Sequence, residues 1–140
     1  MKVSDIMTPS PVCISHEASL RDAHELMQTR NVRHLPVISE QDGKFIGMLT
    51  HKKMIASVLK MLNKYGQGAL ERKERYTPIA DIMDTEVQVL ALNESLNEVV
   101  QYFIDNKLGC LPVLDEQRNV VGIVTSSDFV KLCQRLLLNP

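Results

Sequence analysis

The sequence predicts an α/β fold in which one β-α-β-β-α unit occurs twice in tandem. The two copies match in one register, at a shift of 76 residues that becomes 75 after one turn. Three pairs of segments carry the match: "DIM" at 5–7 and 81–83, "LPV" at 35–37 and 111–113, and "GMLT" at 47–50 with "GIVT" at 122–125. Within each copy, short runs rich in β-branched residues alternate with helical patterns.

The first half of each copy predicts a strand and a capped helix. "PVCIS" is a short apolar run with β-branched residues, which suits a strand. Ser19 precedes Asp22 by three residues, the spacing of a capping box, and an apolar face runs from Leu20 to Met27. The second copy repeats this pattern from Ser95 and Glu98.

The second half of each copy predicts a hairpin and a further helix. "HLPVI" and "KFIGMLT" flank the turn "SEQDG", and "LPVLD" and "VVGIVT" flank "EQRN". A strand-helix-strand unit of this length implies a parallel strand pair with a right-handed crossover. We therefore expect a small sheet covered by helices, built twice and packed with pseudo-two-fold symmetry.

The repeat borders divide the chain into a first repeat at 1–62, a linker at 63–78 and a second repeat at 79–137. The linker sequence, "NKYGQGALERKERYTP", carries two glycines and charges of both signs. Because glutamates interleave with its basic residues, the run indicates a solvated linker and not a nucleic-acid patch.

Composition argues against several classes of protein. With a formal net charge of −1 and a pI near 6.4, the chain gives no reason to expect nucleic acid or an anionic membrane as partner. No apolar run is long enough for a membrane span or a signal peptide. Cys13, Cys110 and Cys133 are odd in number, without zinc-finger spacing, and fit reduced thiols in a cytoplasm. No nucleophile–base pair or metal-binding histidine spacing occurs, so we expect no enzymatic activity.

The repeated order of a "DIM" start, a capped helix, an "LPV" strand, a Gly-x-x-Thr strand end and a final helix resembles the CBS domain, named after cystathionine β-synthase. The pair resembles a stand-alone CBS tandem, or Bateman module, over about residues 1 to 137. This resemblance implies a regulatory module that binds AMP, ADP, ATP or S-adenosylmethionine in a cleft between the repeats and alters association with an unknown client protein.

Thr125 and Asp128 have two interpretations from the residues alone. Thr-x-x-Asp at a helix start is a capping box, but hydroxyls beside first-turn amides also suit phosphate, and a carboxylate can accept ribose hydroxyls. The resemblance implies that Asp128 binds ribose and that Thr125 faces phosphate. It also implies that Asp128 faces residues of the other repeat across the cleft, namely Thr8, Val12, Val32 and Arg33. The candidate ligand-binding residues are Thr8, Val12, Val32, Arg33, His34, Gly109, Cys110, Thr125, Ser126, Ser127 and Asp128.

The first repeat differs at the equivalent positions. Lys53 stands where Asp128 stands, and an ammonium group cannot accept hydrogen bonds from ribose. A basic cluster results, comprising Arg33, His34, His51, Lys52 and Lys53. Gly109 and Cys110 match positions where some family members carry basic phosphate-binding residues. We therefore expect one nucleoside site per chain, on the Asp128 side.

The last helix of each repeat carries a wide apolar stripe, within Met54–Leu62 and within Phe129–Leu137. The resemblance implies a homodimer formed through these two helices. Two other functions remain open: a structural dimerisation module with a vestigial cleft, and a metal- or redox-responsive module using histidines with Cys110 or Cys133.

Overall fold

Two small sheets with flanking helices organise the chain in the computed structural model, which describes all 140 residues. The elements in order are α1 (Val3–Ile6), β1 (Thr8–Pro9), β2 (Ile14–Ser15), α2 (Leu20–Arg30), β3 (His34–Ile38), β4 (Phe45–Thr50), α3 (His51–Tyr65), α4 (Gln67–Tyr76), a 3₁₀ turn (Ile79–Asp81), β5 (Leu90–Ala91), α5 (Leu96–Asn106), β6 (Cys110–Leu114), β7 (Val120–Thr125) and α6 (Ser126–Leu138). The predicted β-α-β-β-α order is confirmed in both copies. None of the helices combines the length and the apolar character that crossing a bilayer requires.

The chain divides into two units whose borders do not coincide with the repeat borders. The terminal unit contains residues 1–11 and 88–140, and the central unit contains residues 12–87. Each unit therefore combines most of one repeat with the opening segment of the other.

The central unit contains a three-stranded sheet in the order β2-β3-β4. Strand β2 runs parallel to β3, and β3 pairs antiparallel with β4, as the sequence predicts. The capping box of α2 is present, since the Asp22 N–H donates to Ser19 Oγ (3.1 Å) and the Ser19 N–H donates to Asp22 Oδ2 (2.9 Å). The buried core comprises Ile14, Leu20, Ala23, Met27, Leu35, Val37, Leu49, Met54 and Ile79.

The terminal unit contains a four-stranded sheet in the order β1-β7-β6-β5. Its core comprises Val3, Leu90, Val99, Phe103, Leu111, Val113 and Val124. The predicted side-chain cap at Ser95 is wrong, because Ser95 makes no side-chain capping bond. The N–H of Leu96 donates instead to the Met1 carbonyl (3.1 Å), so the N-terminal segment satisfies a first-turn amide of α5.

The predicted linker, residues 63–78, is mostly helical. Helix α3 continues to Tyr65, Gly66 interrupts it with a φ of 77°, and α4 then packs against α2 and α3. Glu74 of α4 is only 4% exposed and lies 3.8 Å from the guanidinium of Arg21. The mixed charges of this segment therefore include one buried carboxylate as well as solvated groups.

The two repeat glycines, Gly47 and Gly122, allow a close approach of backbone from the other repeat. A Cβ on Gly122 would lie 2.5 Å from Met7 Sδ and 3.1 Å from the Thr8 carbonyl oxygen. A Cβ on Gly47 would lie 2.7 Å from the Asp84 carbonyl oxygen. Real Cβ atoms essentially never approach another atom within 3.0 Å, so the Asp84 carbonyl needs a glycine at position 47. At position 122 a side chain would force the Met7 side chain and the Thr8 carbonyl to shift.

We predict that Gly122→Ala lowers the free energy of unfolding by about 1–3 kcal/mol, because the added methyl group overpacks the Met7–Thr8 segment. Gly68→Ala is the matched control: nothing lies within 4 Å of its Cβ position on α4, and alanine favours a helix. Urea unfolding would measure both variants. Equal stability of Gly122→Ala and wild type would contradict the contact.

Candidate functional site

The β7–α6 junction of the terminal unit brings together the predicted residues with ligand-binding chemistry. Strand β7 ends at Thr125, whose extended backbone (φ −121°, ψ 166°) makes it the N-cap of α6. Ser126, Ser127 and Asp128 then form the first turn of the helix. Hydroxyls, first-turn amides and one carboxylate thus lie within a single turn.

The Asp128 carboxylate is 5% exposed and accepts hydrogen bonds at both oxygens. Its Oδ2 accepts from the Thr125 N–H (2.8 Å) and from the Thr125 hydroxyl (3.1 Å). Its Oδ1 accepts from the Thr8 hydroxyl (2.9 Å). An ionised carboxylate offers about four acceptor positions, so these three donors leave about one unused. The bond from Thr125 N–H is the capping bond that the sequence predicts.

Thr8 reaches Asp128 because β1 adds to the edge of β7. The two strands are antiparallel, and Thr8 lies opposite Ile123 while Pro9 lies opposite Gly122. Thr8 comes from the first repeat and Asp128 from the second, yet both belong to the terminal unit. Thr8 was expected to face Asp128, but the sequence does not predict the strand pairing that joins them.

The remaining predicted residues of this unit surround the same junction. The Ser126 N–H donates to the Gly109 carbonyl (3.1 Å), and the Thr125 and Ser127 hydroxyl oxygens lie 2.8 Å apart. Cys110 lies opposite Thr125 in the β6–β7 pair. Gly109 therefore contributes a backbone acceptor to the helix start and has no side chain there.

Cys110 lies in an electrostatic environment that disfavours the thiolate. Burial, and then the nearby Asp128 carboxylate, raise the pKa of the Cys110 thiol to about 12. The thiol is thus neutral at physiological pH and is a poor nucleophile and metal ligand. No group of three or more His, Cys, Asp or Glu side chains in the chain is arranged to hold a metal ion.

The equivalent junction in the central unit has the same frame and different side chains. The Lys53 N–H donates to Thr50 Oγ1 (3.1 Å), and the His51 N–H donates to the Arg33 carbonyl (2.8 Å). Asp84 stands where Thr8 stands, bonded through its backbone to Met48 at 2.9 Å in both directions. The side chains of Asp84 and Lys53 form no ion pair. A hydroxyl–carboxylate contact in one unit thus becomes an unpaired acid and base in the other.

Other predicted residues of the central unit have mixed roles. Val12 and Val32 pack against its core. Burial, and then the charge of Arg33, lower the pKa of His34, so its imidazole adds no positive charge near pH 7. That Asp128 faces Val12, Val32 and Arg33 stays a prediction.

Part of the basic cluster lines a cavity of about 330 Å³ beside Val32, where Arg33 and His51 lie with His24. The Nδ1 of His24 is buried without a hydrogen-bond partner. Lys53 lines a different groove, against α4. The structure therefore divides the cluster between two surfaces, and His24, from outside the cluster, lies beside Arg33 and His51.

A family model for the CBS domain matches residues 3–60 and 79–135. The chain belongs to the CBS domain family. Its two copies are the two CBS domains of a tandem, and the matched segments correspond to the repeats found in the sequence.

Three relatives show how far the similarity extends. The chain is 31% identical over 127 residues to the CBS domain-containing protein YhcV of Bacillus subtilis, which covers 91% of this chain and 81% of YhcV. The crystal structure of AcuB from Vibrio cholerae matches with a TM-score of 0.79 and 32% identity, over 99% of this chain and 93% of AcuB. The CBS domain pair of protein MJ0100 was solved in complex with 5′-methylthioadenosine and S-adenosyl-L-methionine. It matches with a TM-score of 0.73 and 28% identity, over 96% of this chain and 97% of the MJ0100 chain.

CBS tandems also occur within longer proteins. The chain spans 23% of the length of the homoserine O-acetyltransferase of Methanocorpusculum labreanum that it matches. The similarity to such proteins concerns their CBS segment.

We predict that Cys110, as the single cysteine of a Cys13→Ser/Cys133→Ser variant, is alkylated by iodoacetamide at pH 8 at least about tenfold more slowly than N-acetylcysteine, since so little thiolate is present. Adding Asp128→Asn removes a charge that raises this pKa, so the rate rises. Adding Asp22→Asn, at the capping box of α2, leaves the rate unchanged. Mass spectrometry would follow the reaction, and a Cys110 as reactive as the free thiol would contradict the site geometry.

Proposed function

We propose that this CBS tandem is a regulatory module that binds an adenosyl compound at the β7–α6 junction, with Asp128 as the acceptor of the ribose hydroxyls. The observation that carries the proposal is the buried Asp128 carboxylate, which two hydroxyl donors approach, Thr8 at 2.9 Å and Thr125 at 3.1 Å. In a capping box the carboxylate accepts only one bond, that from the backbone N–H of the N-cap residue. The additional hydroxyl donors indicate a carboxylate suited to receiving hydroxyl groups.

Ligand entry can leave the helix cap in place. Rotation about χ1 can move the Thr8 hydroxyl oxygen away from Oδ1, so that one ribose hydroxyl takes its place and a second uses the remaining acceptor position of the carboxylate. The bond from the Thr125 N–H to Oδ2 then continues to cap α6 and to fix the carboxylate. Hydrogen bonds from hydroxyls to a carboxylate are charge-assisted, so each bond from the ribose to Asp128 would be strong.

The phosphate end of a nucleotide ligand has separate partners. The Thr125 and Ser127 hydroxyls and the Ser127 amide offer donors where the dipole of α6 is positive. No basic side chain stands at Gly109 or Cys110, so these donors would carry phosphate recognition. The MJ0100 pair, in complex with S-adenosyl-L-methionine and 5′-methylthioadenosine, supports the adenosyl class and leaves the particular ligand to experiment.

We predict that Asp128→Asn weakens the binding of AMP or S-adenosylmethionine by at least about tenfold, because the charge and half of the acceptor capacity are lost. Asp22→Asn is the matched control, since it alters a capping box with no ligand role. Isothermal titration calorimetry should give one site per chain for wild type and for Asp22→Asn. If wild type bound ribo- and 2′,3′-dideoxy ligands with equal affinity, Asp128 would not bind the ribose hydroxyls and would act only as a helix cap.

The module is further proposed to act as a homodimer through α3 and α6. Leu59 on α3 is 53% exposed and Leu136 on α6 is 57% exposed, and both belong to the predicted apolar stripes. Ile55, Val130 and Leu137 add to the exposed apolar surface of these helices. Apolar surface repeated along a helix indicates a contact with another molecule.

We predict that wild type is a dimer by size-exclusion chromatography with light scattering at tens of micromolar, and that Leu136→Glu or Leu59→Glu gives monomers. Both positions are exposed within the chain, so the charge is unfavourable in the dimer and tolerated by the folded monomer. Gln134→Glu, on an exposed position of the same α6, keeps the dimer. A monomeric wild type would refute the interface, whereas a dimer without adenosyl binding would favour a structural module.

A further inference from the structure

Four lysines line one groove of the central unit, which we name the lysine groove: Lys53, Lys60 and Lys64 on α3 and Lys73 on α4. The groove has a volume of about 480 Å³, which falls within the range of small-molecule sites. Asp81 is the single carboxylate in its lining. In a chain with 16 basic and 17 acidic residues, this is a strong local separation of charge.

The lysine groove lacks compensating ion pairs because the nearby carboxylates have arginine partners. Glu71 of α4 lies 3.0 Å from the guanidinium of Arg75, and Glu74 lies 3.8 Å from that of Arg21. No ion pair in the chain includes a lysine of the groove. The four ammonium groups therefore repel one another, and the one carboxylate in the lining, Asp81, forms an ion pair with none of them.

Two of these ammonium groups make cation–π contacts with one aromatic ring, that of Tyr65. The Nζ atoms of Lys73 and Lys64 lie 4.2 Å and 5.3 Å from the centre of the Tyr65 ring. A cation–π contact attracts each ammonium group but leaves its charge uncompensated. Met61 and Ile82 add apolar surface to the same lining. The groove thus combines concentrated positive charge with an aromatic and apolar wall.

We propose that the lysine groove binds a small molecule carrying two or more phosphate groups. Lys60 and Lys64 are one helical turn apart, and Lys53 lies two turns before Lys60, so the charges extend over about 16 Å along α3. A linear set of this length suits a chain of phosphates better than one small anion. Lysine binds phosphate as a point charge with rotatable donors, which requires no fixed fork geometry.

The test uses inorganic tripolyphosphate as the probe and isothermal titration calorimetry on the full chain at low salt. We expect saturable binding with one site per chain, weaker binding of orthophosphate, and loss of affinity as salt is raised. Lys64→Gln/Lys73→Gln should weaken tripolyphosphate binding at least about tenfold. Lys2→Gln/Lys107→Gln removes the same two charges from exposed positions outside the groove and should change the affinity less than about twofold.

Three results would overturn the proposal: no saturable tripolyphosphate binding, equal weakening in the two double variants, or tighter binding of a hexaglutamate peptide. The last result would identify the groove as a surface for an acidic protein segment. Asp128→Asn lies in the terminal unit and should leave tripolyphosphate binding unchanged. Failure of the adenosyl site and failure of the lysine groove can therefore be told apart.

Discussion

The contact on which both units depend is the close approach of a "DIM" segment to a repeat glycine. At Gly122 the approaching chain is Met7–Thr8, and at Gly47 it is Met83–Asp84. A Cβ would lie 2.7 Å from the Asp84 carbonyl oxygen at Gly47, and 2.5 Å from Met7 Sδ and 3.1 Å from the Thr8 carbonyl oxygen at Gly122. Glycine therefore favours the backbone pairing of Asp84 with Met48 and of Thr8 with Ile123. Each repeat thereby completes the unit formed mainly by the other, which explains why neither copy is a closed unit by itself.

The same contact determines which residues meet at the candidate site. Strand pairing with β7 brings the Thr8 hydroxyl to the Asp128 carboxylate. At the equivalent place in the central unit, Asp84 and Lys53 occupy the two positions, and each stays exposed. The same backbone arrangement is present in both units because the glycines and the backbone hydrogen bonds produce it. The side chains at the two positions differ because this arrangement does not depend on them. Duplication thus supplied two helix starts, of which one gained a buried acceptor and the other a cation.

Much of this architecture is predictable from the sequence because it depends on local signals. Periodicity and the Ser19–Asp22 spacing predict α2, and the two hairpins follow from alternating runs and polar turns. No local signal predicts that the opening segment of each repeat joins the unit formed mainly by the other repeat. Strand β1, which makes this contact in the terminal unit, is only two residues long and includes Pro9. Helix α4 was not predicted because Gly66, Gly68 and charges of both signs are typical of a linker. The burial of Glu74 could not be predicted either, because it depends on Arg21 from a helix distant in sequence. At the site, the residue types were predictable, whereas the Thr8–Asp128 bond depends on the non-local pairing.

Helix α3 shows how one element can serve two surfaces. Residues four and seven apart return to nearly the same side of a helix, which places Lys53, Lys60 and Lys64 together. Ile55, Leu59 and Leu62 fall on the opposite side by the same geometry. An apolar contact with a second chain would therefore leave the lysine side open, and an anion held there would offset charges that oppose one another along α3. Binding at the lysine groove and association through the apolar stripe are consequently compatible on one helix.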